Sequence, residues 1–281
     1  MKNIIISAFA DEYSSDLNTQ LKMLGENGIG YIEPRFLLGK NVADLTANEA
    51  HEVAKKLSDC KIGVSAIGSP LGKIKLSDDF DAHLEKTRRV LEIANILGTD
   101  KVRMFSFYLH EGKSRIECRN EVIDKLGRML DLAEASGIKL CHENEAEIYG
   151  ESPEECLDLL TAFGGRLRAV FDMGNFVLGG YKPFPDAYDK IKSYVEYFHI
   201  KDALYAGAIV PPGRGEASIG EVLRAYSESS EHPVYATLEP HLQTFDGLNS
   251  LVGRGFDNPY KFESKEVAFL TAINNFKEIL K

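Results

Sequence analysis

Four residues able to bind a metal or move a proton close four short apolar runs in the second half of the chain. Glu143 follows Lys-Leu-Cys-His, Asp172 follows Arg-Ala-Val-Phe, His199 follows Tyr-Phe, and Glu239 follows Tyr-Ala-Thr-Leu. Three carboxylates and one imidazole make a hard, oxygen-rich donor set, which suits Mn²⁺ or Mg²⁺ first and Zn²⁺ or Co²⁺ next. Packed together without a cation such charges repel, so an empty cluster should show raised pKa values or disorder. The competing reading is that each residue merely caps its strand or pairs with a nearby Lys or Arg. The four cysteines, Cys60, Cys118, Cys141 and Cys156, form no C-x-x-C pair. That excludes a written zinc ribbon or dithiol motif and predicts buried, reduced thiols.

Whether the four donors meet depends on the elements that carry them. Short β-branched or aromatic runs alternate with amphipathic stretches about eight times. The expected strands are Asn3–Phe9, Tyr31–Arg35, Ile62–Gly68, Lys101–Phe107, Lys139–Glu145, Arg168–Asp172, Tyr197–Lys201 and Val234–Glu239. Helical patterns separate them: Asp16–Asn27, Ala47–Leu57 behind a Thr46/Glu49 capping box, Phe80–Leu97 before Gly98, Arg119–Ala135, a helix opened by Ser152 and Pro153, and Ser264–Leu280. Strands joined through helices are parallel, and eight such units predict an α/β protein, a single (β/α)8 TIM barrel spanning residues 1–281. An open doubly wound sheet competes, but the first strand leads into Ala8-Phe9-Ala10-Asp11-Glu12 with no G-x-G-x-x-G. The Gly- and Asn-rich stretch Gln243–Phe262 is longer than an ordinary connection and is expected to be a lid or an oligomer contact.

Composition narrows the partners. Lys and Arg number 33 against 43 Asp and Glu, a net charge of −10. This repels a phosphate backbone, so no nucleic acid is expected. The first apolar run, Ile4–Ala10, is too short to span a bilayer and is followed at once by Asp11 and Glu12, so neither a membrane partner nor a signal peptide is expected and the location is read as cytoplasmic.

In a barrel the C-terminal strand ends form the floor of the active face, and strands five to eight bring Glu143, Asp172, His199 and Glu239 towards one centre. If Glu143 points inward, so do Cys141 and Glu145, while His142 faces the helices and is read as packing or support. Lys201 shares the inward face of His199, where it either meets a substrate oxyanion or bridges to Asp202 or a site carboxylate. Arg214, in the loop Pro-Pro-Gly-Arg-Gly-Glu, is either a clamp for phosphate or carboxylate or an exposed turn residue. Glu33 and Arg35 either line the cavity or pair with each other, and Arg103 reads as a buried ion-pair member. His110 and His241 sit in loops from which substrate is within reach. Phe105, Phe107 and Tyr108 are read as core packing before pocket wall.

The runs Leu-Cys-His-Glu-Asn, Val-Phe-Asp-Met-Gly-Asn, Phe-His-Ile-Lys-Asp, Pro-Gly-Arg-Gly-Glu and Thr-Leu-Glu-Pro, with Gly30–Arg35 earlier, resemble the sugar phosphate isomerase/epimerase group of the xylose-isomerase-like barrel superfamily. The resemblance covers essentially the whole chain. It implies that Glu143, Asp172, His199 and Glu239 hold one divalent ion, that Glu143 and Glu239 act as catalytic acid and base, and that the substrate is a small carbohydrate. Epimerisation, aldose–ketose isomerisation and dehydration of a keto-inositol or keto-sugar all follow from one enediolate and stay open. An apurinic-site endonuclease and a sugar-binding protein without turnover are the remaining readings. Two departures from the group matter. Asn175 stands where a His is common; an amide can meet a substrate hydroxyl but is a poor metal ligand, which counts against a multinuclear zinc site. Tyr205 replaces an arginine found in ketose 3-epimerases, which counts against simple free-ketose epimerisation.

Overall fold

The computed structural model describes residues 1–243 and 259–281. Seven strand positions form one parallel sheet in the order first, eighth, seventh, sixth, fifth, fourth, third. They are Ile4–Ala8, Val234–Leu238, Val195–Ile200, Arg168–Asp172, Lys139–Glu143, Lys101–Met104 and, from the third strand, Ile67–Gly68. The second strand, Tyr31–Ile32, pairs in parallel with Gly63–Val64, the other half of an interrupted third strand. Amide bonds from Glu33 to Ala8, Ser65 to Ile32 and Gly68 to Pro34 close the ring. The fold is the expected (β/α)8 barrel, with its second and third strands regular over only a few residues.

The helices follow in turn: Leu17–Glu26, Ala47–Asp59, Phe80–Leu97, Arg115–Ala135, Pro153–Ala162, Met173–Leu178 with Tyr188–Ile191, Ile219–Ser229 and Lys265–Ile279. Thr46 and Glu49 form the expected capping box, and Gly98 ends its helix in the left-handed region. The fourth helix begins at Arg115 instead of Arg119, because Ser114 and Glu117 form a second capping box upstream of the apolar stripe. Three of the four cysteines are buried; Cys60 is exposed because it follows the last turn of its helix, contrary to the expectation for all four. The stretch expected to be a lid or oligomer contact lies, over residues 244–258, outside the described residues. Among the described residues no helix is long and apolar enough to cross a membrane.

Alternation along the strands sorts side chains into two shells. Phe171 and Phe198 point outward and meet Phe176, Tyr188 and Tyr226 of the helix layer. Asp172, Tyr197 and His199 point into the barrel, as a period of two requires. Phe105 and Phe107 are fully buried, Phe107 against Phe80 and His83, so these aromatics are core.

Candidate metal and proton-transfer site

Strand register brings the four donors together. His199 lies opposite both Asp172 and Thr237, and Glu239, two residues past Thr237, returns to the same inward face. Glu143 ends the neighbouring fifth strand. The donor atoms of Glu143, Asp172, His199 and Glu239 all lie within 4.8 Å of one another, and all four residues are buried.

Each ligand turns one atom inward and has its other atom tied down. Arg103 Nη1 donates to Glu143 Oε2 at 2.8 Å, leaving Oε1 towards the centre. The backbone amide of Asn175 donates to Asp172 Oδ1 at 2.7 Å, the N-cap bond of the helix Met173–Leu178, leaving Oδ2. Arg35 Nη1 donates to Glu239 Oε1 at 2.9 Å, leaving Oε2. Glu33 lies 3.3 Å from His199 Nε2 with either oxygen, so the other ring nitrogen, Nδ1, faces inward. Nδ1 is 3.2 Å from Glu143 Oε1 and 3.3 Å from Glu239 Oε2, yet it is buried without a hydrogen bond. An orphaned imidazole nitrogen beside three carboxylate oxygens is a donor set that fits a divalent cation, and a carboxylate behind the imidazole is the usual way such a ligand is oriented.

The electrostatics carry the same asymmetry. Burial raises the Glu143 carboxyl, but His199 and Arg103 outweigh it and hold the group down at about 2. Burial is likewise outweighed at Glu239, by Lys201, His241 and His199, leaving it well below the usual carboxylate range. Asp172 is pushed up to about 7, by burial first and then by Glu143 and Glu239, in spite of Lys201. The raised pKa expected of a crowded cluster therefore falls on Asp172 alone of the three. Burial disfavours the imidazolium of His199, but Glu143 and Glu33 raise it well above its ordinary value.

The remaining candidates occupy distinct places. Lys201 bridges site carboxylates: its Nζ is 2.9 Å from Asp172 Oδ2, 3.1 Å from Glu239 Oε2 and 3.1 Å from Asn175 Oδ1. It makes no bridge to Asp202, whose carboxylate instead accepts from the amides of Gly213, Gly215 and Ala217 and fastens the loop that carries Arg214. Arg214 is exposed on that loop. Asn175 Nδ2 donates to Glu143 Oε1 at 3.2 Å and to the Asn144 carbonyl at 2.9 Å. Glu33, expected among the substrate contacts, is fully buried beneath His199 and also accepts from Tyr197 Oη at 2.9 Å, because a strand-two side chain reaches the barrel interior below the tips. It does not pair with Arg35. His110 is held by Glu121 at 2.8 Å, on the helix that follows its loop, and not in the quartet. Glu145 pairs with Lys73, and His142 faces the helix layer, bonded to Ser106.

A second group was not anticipated. Arg35 Nε donates to Asp11 Oδ2 at 3.0 Å and its Nη2 reaches Glu12 Oε1 at 3.3 Å, so one guanidinium joins three buried carboxylates. His241, at φ +46, donates its backbone amide to Glu12 Oε2 at 2.8 Å and brings Nε2 within 3.5 Å of Glu239 Oε1. Burial pushes Glu12 up to about 8, with Glu239 and Asp11 adding to it and Arg35 opposing. The signal available in the sequence was the pair Asp11-Glu12 directly after the first apolar strand, at the same barrel end as the quartet.

Residues 21–241 match the family described as Xylose isomerase-like TIM barrel, and the chain belongs to that family. No curated protein matches it. Among solved structures it is similar to the probable 3-DHS dehydratase AsbF of Bacillus anthracis, with a TM-score of 0.72, 18% identity, and 100% of this chain and 99% of that one covered. It is similar to the IOLI protein with a binding zinc atom, at a TM-score of 0.75 and 17% identity over 99% and 98% of the chains. A third is the D-psicose 3-epimerase with D-tagatose from Clostridium cellulolyticum H10, at 0.73 and 14% identity over 98% of each. At these identities the likeness shows the fold.

Proposed function

We propose that this xylose isomerase-like barrel is a divalent-metal-dependent isomerase or epimerase acting on a small keto-sugar or sugar derivative. The observation that carries the reading is the quartet itself: four buried ligands, each with one donor facing a shared centre and its second atom fixed by another residue. Three oxygens and one nitrogen favour Mn²⁺ or Mg²⁺, with Zn²⁺ or Co²⁺ next. When bound, the ion polarises adjacent carbonyl and hydroxyl oxygens of the substrate and so makes the neighbouring C–H acidic.

The chain's own residues then move the proton. Glu143 and Glu239 stand at the ends of the fifth and eighth strands, at the two ends of the four-strand arc, and each presents one oxygen to the shared centre. Both are ionised at neutral pH because cations outweigh their burial, so either can take the proton from the substrate carbon. The same carboxyl then returns it in isomerisation, whereas epimerisation needs the second carboxylate to collect a proton from solvent before delivering it. Lys201 is the ammonium nearest the developing oxyanion. Asn175, bonded to Glu143, Asn144 and Lys201, is an amide and adds no metal ligand, which weighs against a multinuclear nuclease centre.

A lyase that dehydrates a keto-inositol or keto-sugar is the second reading. It is favoured by Tyr205, which is exposed beside the hairpin Asp202–Ala203/Ile209–Val210 and supplies no cation where a free-ketose epimerase would have one. Metal analysis of the purified protein, joined to an NMR screen for solvent deuterium entering ketoses, keto-inositols and their phosphates, tests both. Wash-in with an isomeric product supports the isomerase, and a new enone or diketone absorbance supports the lyase. A loaded ion with complete C–H retention in every compound sinks both.

A further inference from the structure

Lys201 is built into the centre with unusual care for a residue that is not one of the four donors. Its stem lies against Gly174, where an added Cβ would come within 2.7 Å of Lys201 Cγ and 2.8 Å of its Cβ. The side chain is buried, and its ammonium meets Asp172 Oδ2, Glu239 Oε2 and Asn175 Oδ1 at 2.9, 3.1 and 3.1 Å. Two of these three atoms are inward-facing donors of the quartet, those left after Asn175 and Arg35 have taken the opposite oxygens. The guanidinium of Arg103, by contrast, holds the outer oxygen of Glu143.

We propose that Lys201 is a built-in competitor for the divalent ion: its ammonium neutralises Asp172 and Glu239 until an ion takes their inward oxygens, and is then displaced towards Asn175 and the substrate. The inference rests on the quartet being a metal centre, as proposed above. A carboxylate oxygen can accept two partners, so the exclusion is not one of lone pairs. It comes from like charge, since an ammonium and a divalent cation on the same two oxygens repel strongly in a buried site. Lysine suits the role because its charge is a point on a flexible stem, whereas a guanidinium fork is held in plane by several bonds. Lys201 itself gives up no proton in the exchange; its ammonium stays charged and changes partner. The consequence is an ordering of events, in which ion loading frees a cation for an oxyanion of the substrate.

Calorimetric titration of Mn²⁺ into the metal-stripped full chain tests this without any turnover. Lys201→Met should bind Mn²⁺ about tenfold or more tighter than the native chain, while Lys201→Arg should bind no tighter than native. A crystal structure of the native chain with Mn²⁺ should place Nζ beyond hydrogen-bond distance of both Asp172 Oδ2 and Glu239 Oε2. Equal or weaker affinity in Lys201→Met, or Nζ still on both oxygens beside the bound ion, overturns the competition. Failure of the native chain and both variants to bind any ion overturns the metal centre instead, so the two failures are distinct. Should Lys201→Met not fold, the Mn²⁺-bound native structure decides alone.

Discussion

The two halves of the barrel both bury charge at their strand ends, but they use it differently. In the half built from strands one to four, Asp11, Glu12, Glu33, Arg35 and Arg103 are engaged with partners already present. Arg35 joins Asp11, Glu12 and Glu239, Arg103 holds Glu143, and Glu33 backs His199. A single ring, Phe9, lies 4.3 Å from the Arg35 guanidinium, 5.5 Å from that of Arg103, and edge-on to His199 at 5.1 Å. In the half built from strands five to eight, three carboxylate oxygens and a ring nitrogen face one another, and two of those oxygens are met by the ammonium of a lysine on a flexible stem. One half orients and cancels; the other keeps negative charge available for a cation that must be able to arrive. Fixed guanidiniums serve the first task and a mobile ammonium the second.

The sharpest way to break the comparison is to alter one donor of the second half. Glu143→Gln and Glu239→Gln should each slow deuterium wash-in by about 10³-fold, the scale of a lost acid or base. Unchanged circular dichroism and urea midpoint would show that the donor half holds reactivity and not the fold. A variant that exchanges at the native rate removes that residue from the chemistry. In the first half the order inverts. Arg35→Met strands three buried carboxylates and should cost about 3–5 kcal/mol in urea unfolding, more than Arg103→Met, which releases one. If Arg103→Met costs as much, the two guanidiniums are equivalent and the special place of Arg35 is lost.

How much of this could be read from the chain depends on how far apart the partners lie along it. The quartet was legible because each member ends its own apolar run, and strand ends in a barrel share one face. For Lys201 a site carboxylate was one of the alternatives the sequence offered; the partners of Arg35 were not legible. Arg35 meets Glu239 across 204 residues, and no spacing distinguishes that contact from a pairing with Glu33 two positions away. Glu33 looked like a cavity residue because its strand position shows only that it faces inward, not that Tyr197 and His199 lie above it. The role of Asp202, expected only as a candidate partner of Lys201, was hidden for another reason: it orders a loop through backbone amides, which leave no periodicity in the sequence. Gly215 is the one trace, since a side chain there would come within 2.6 Å of the Ala203 carbonyl. The fourth helix began early because a Ser114/Glu117 box outranked the apolar stripe.

A smaller change sharpens the boundary between the halves. Glu33→Gln keeps the shape of the contact beneath His199 but removes the charge that steadies the ring with Nδ1 inward. Ion affinity should fall about 10–100-fold, the usual cost of losing a carboxylate behind a ligating imidazole, and calorimetry with Mn²⁺ reads it directly. Unchanged affinity would mean that Tyr197 and the Phe9 edge contact alone hold the ring, and that the supporting half contributes packing without electrostatics.

The gentlest probe is pH, and its sign follows from which groups are raised. Asp172 sits near 7 and His199 well above its ordinary value, so at neutral pH Asp172 is about half protonated and His199 holds its proton, and a divalent ion must expel both. Glu143 and Glu239 lie low and are already ionised, so they release none. Binding should therefore liberate about one to two protons at pH 7, and affinity should fall as pH drops below about 7, by up to about tenfold per unit for each proton displaced. Titrations in buffers of different ionisation enthalpy count the protons. An affinity flat between pH 6 and 8 would show that His199 and Asp172 are already free of protons, and that the charge separating the two halves is smaller than their contacts require.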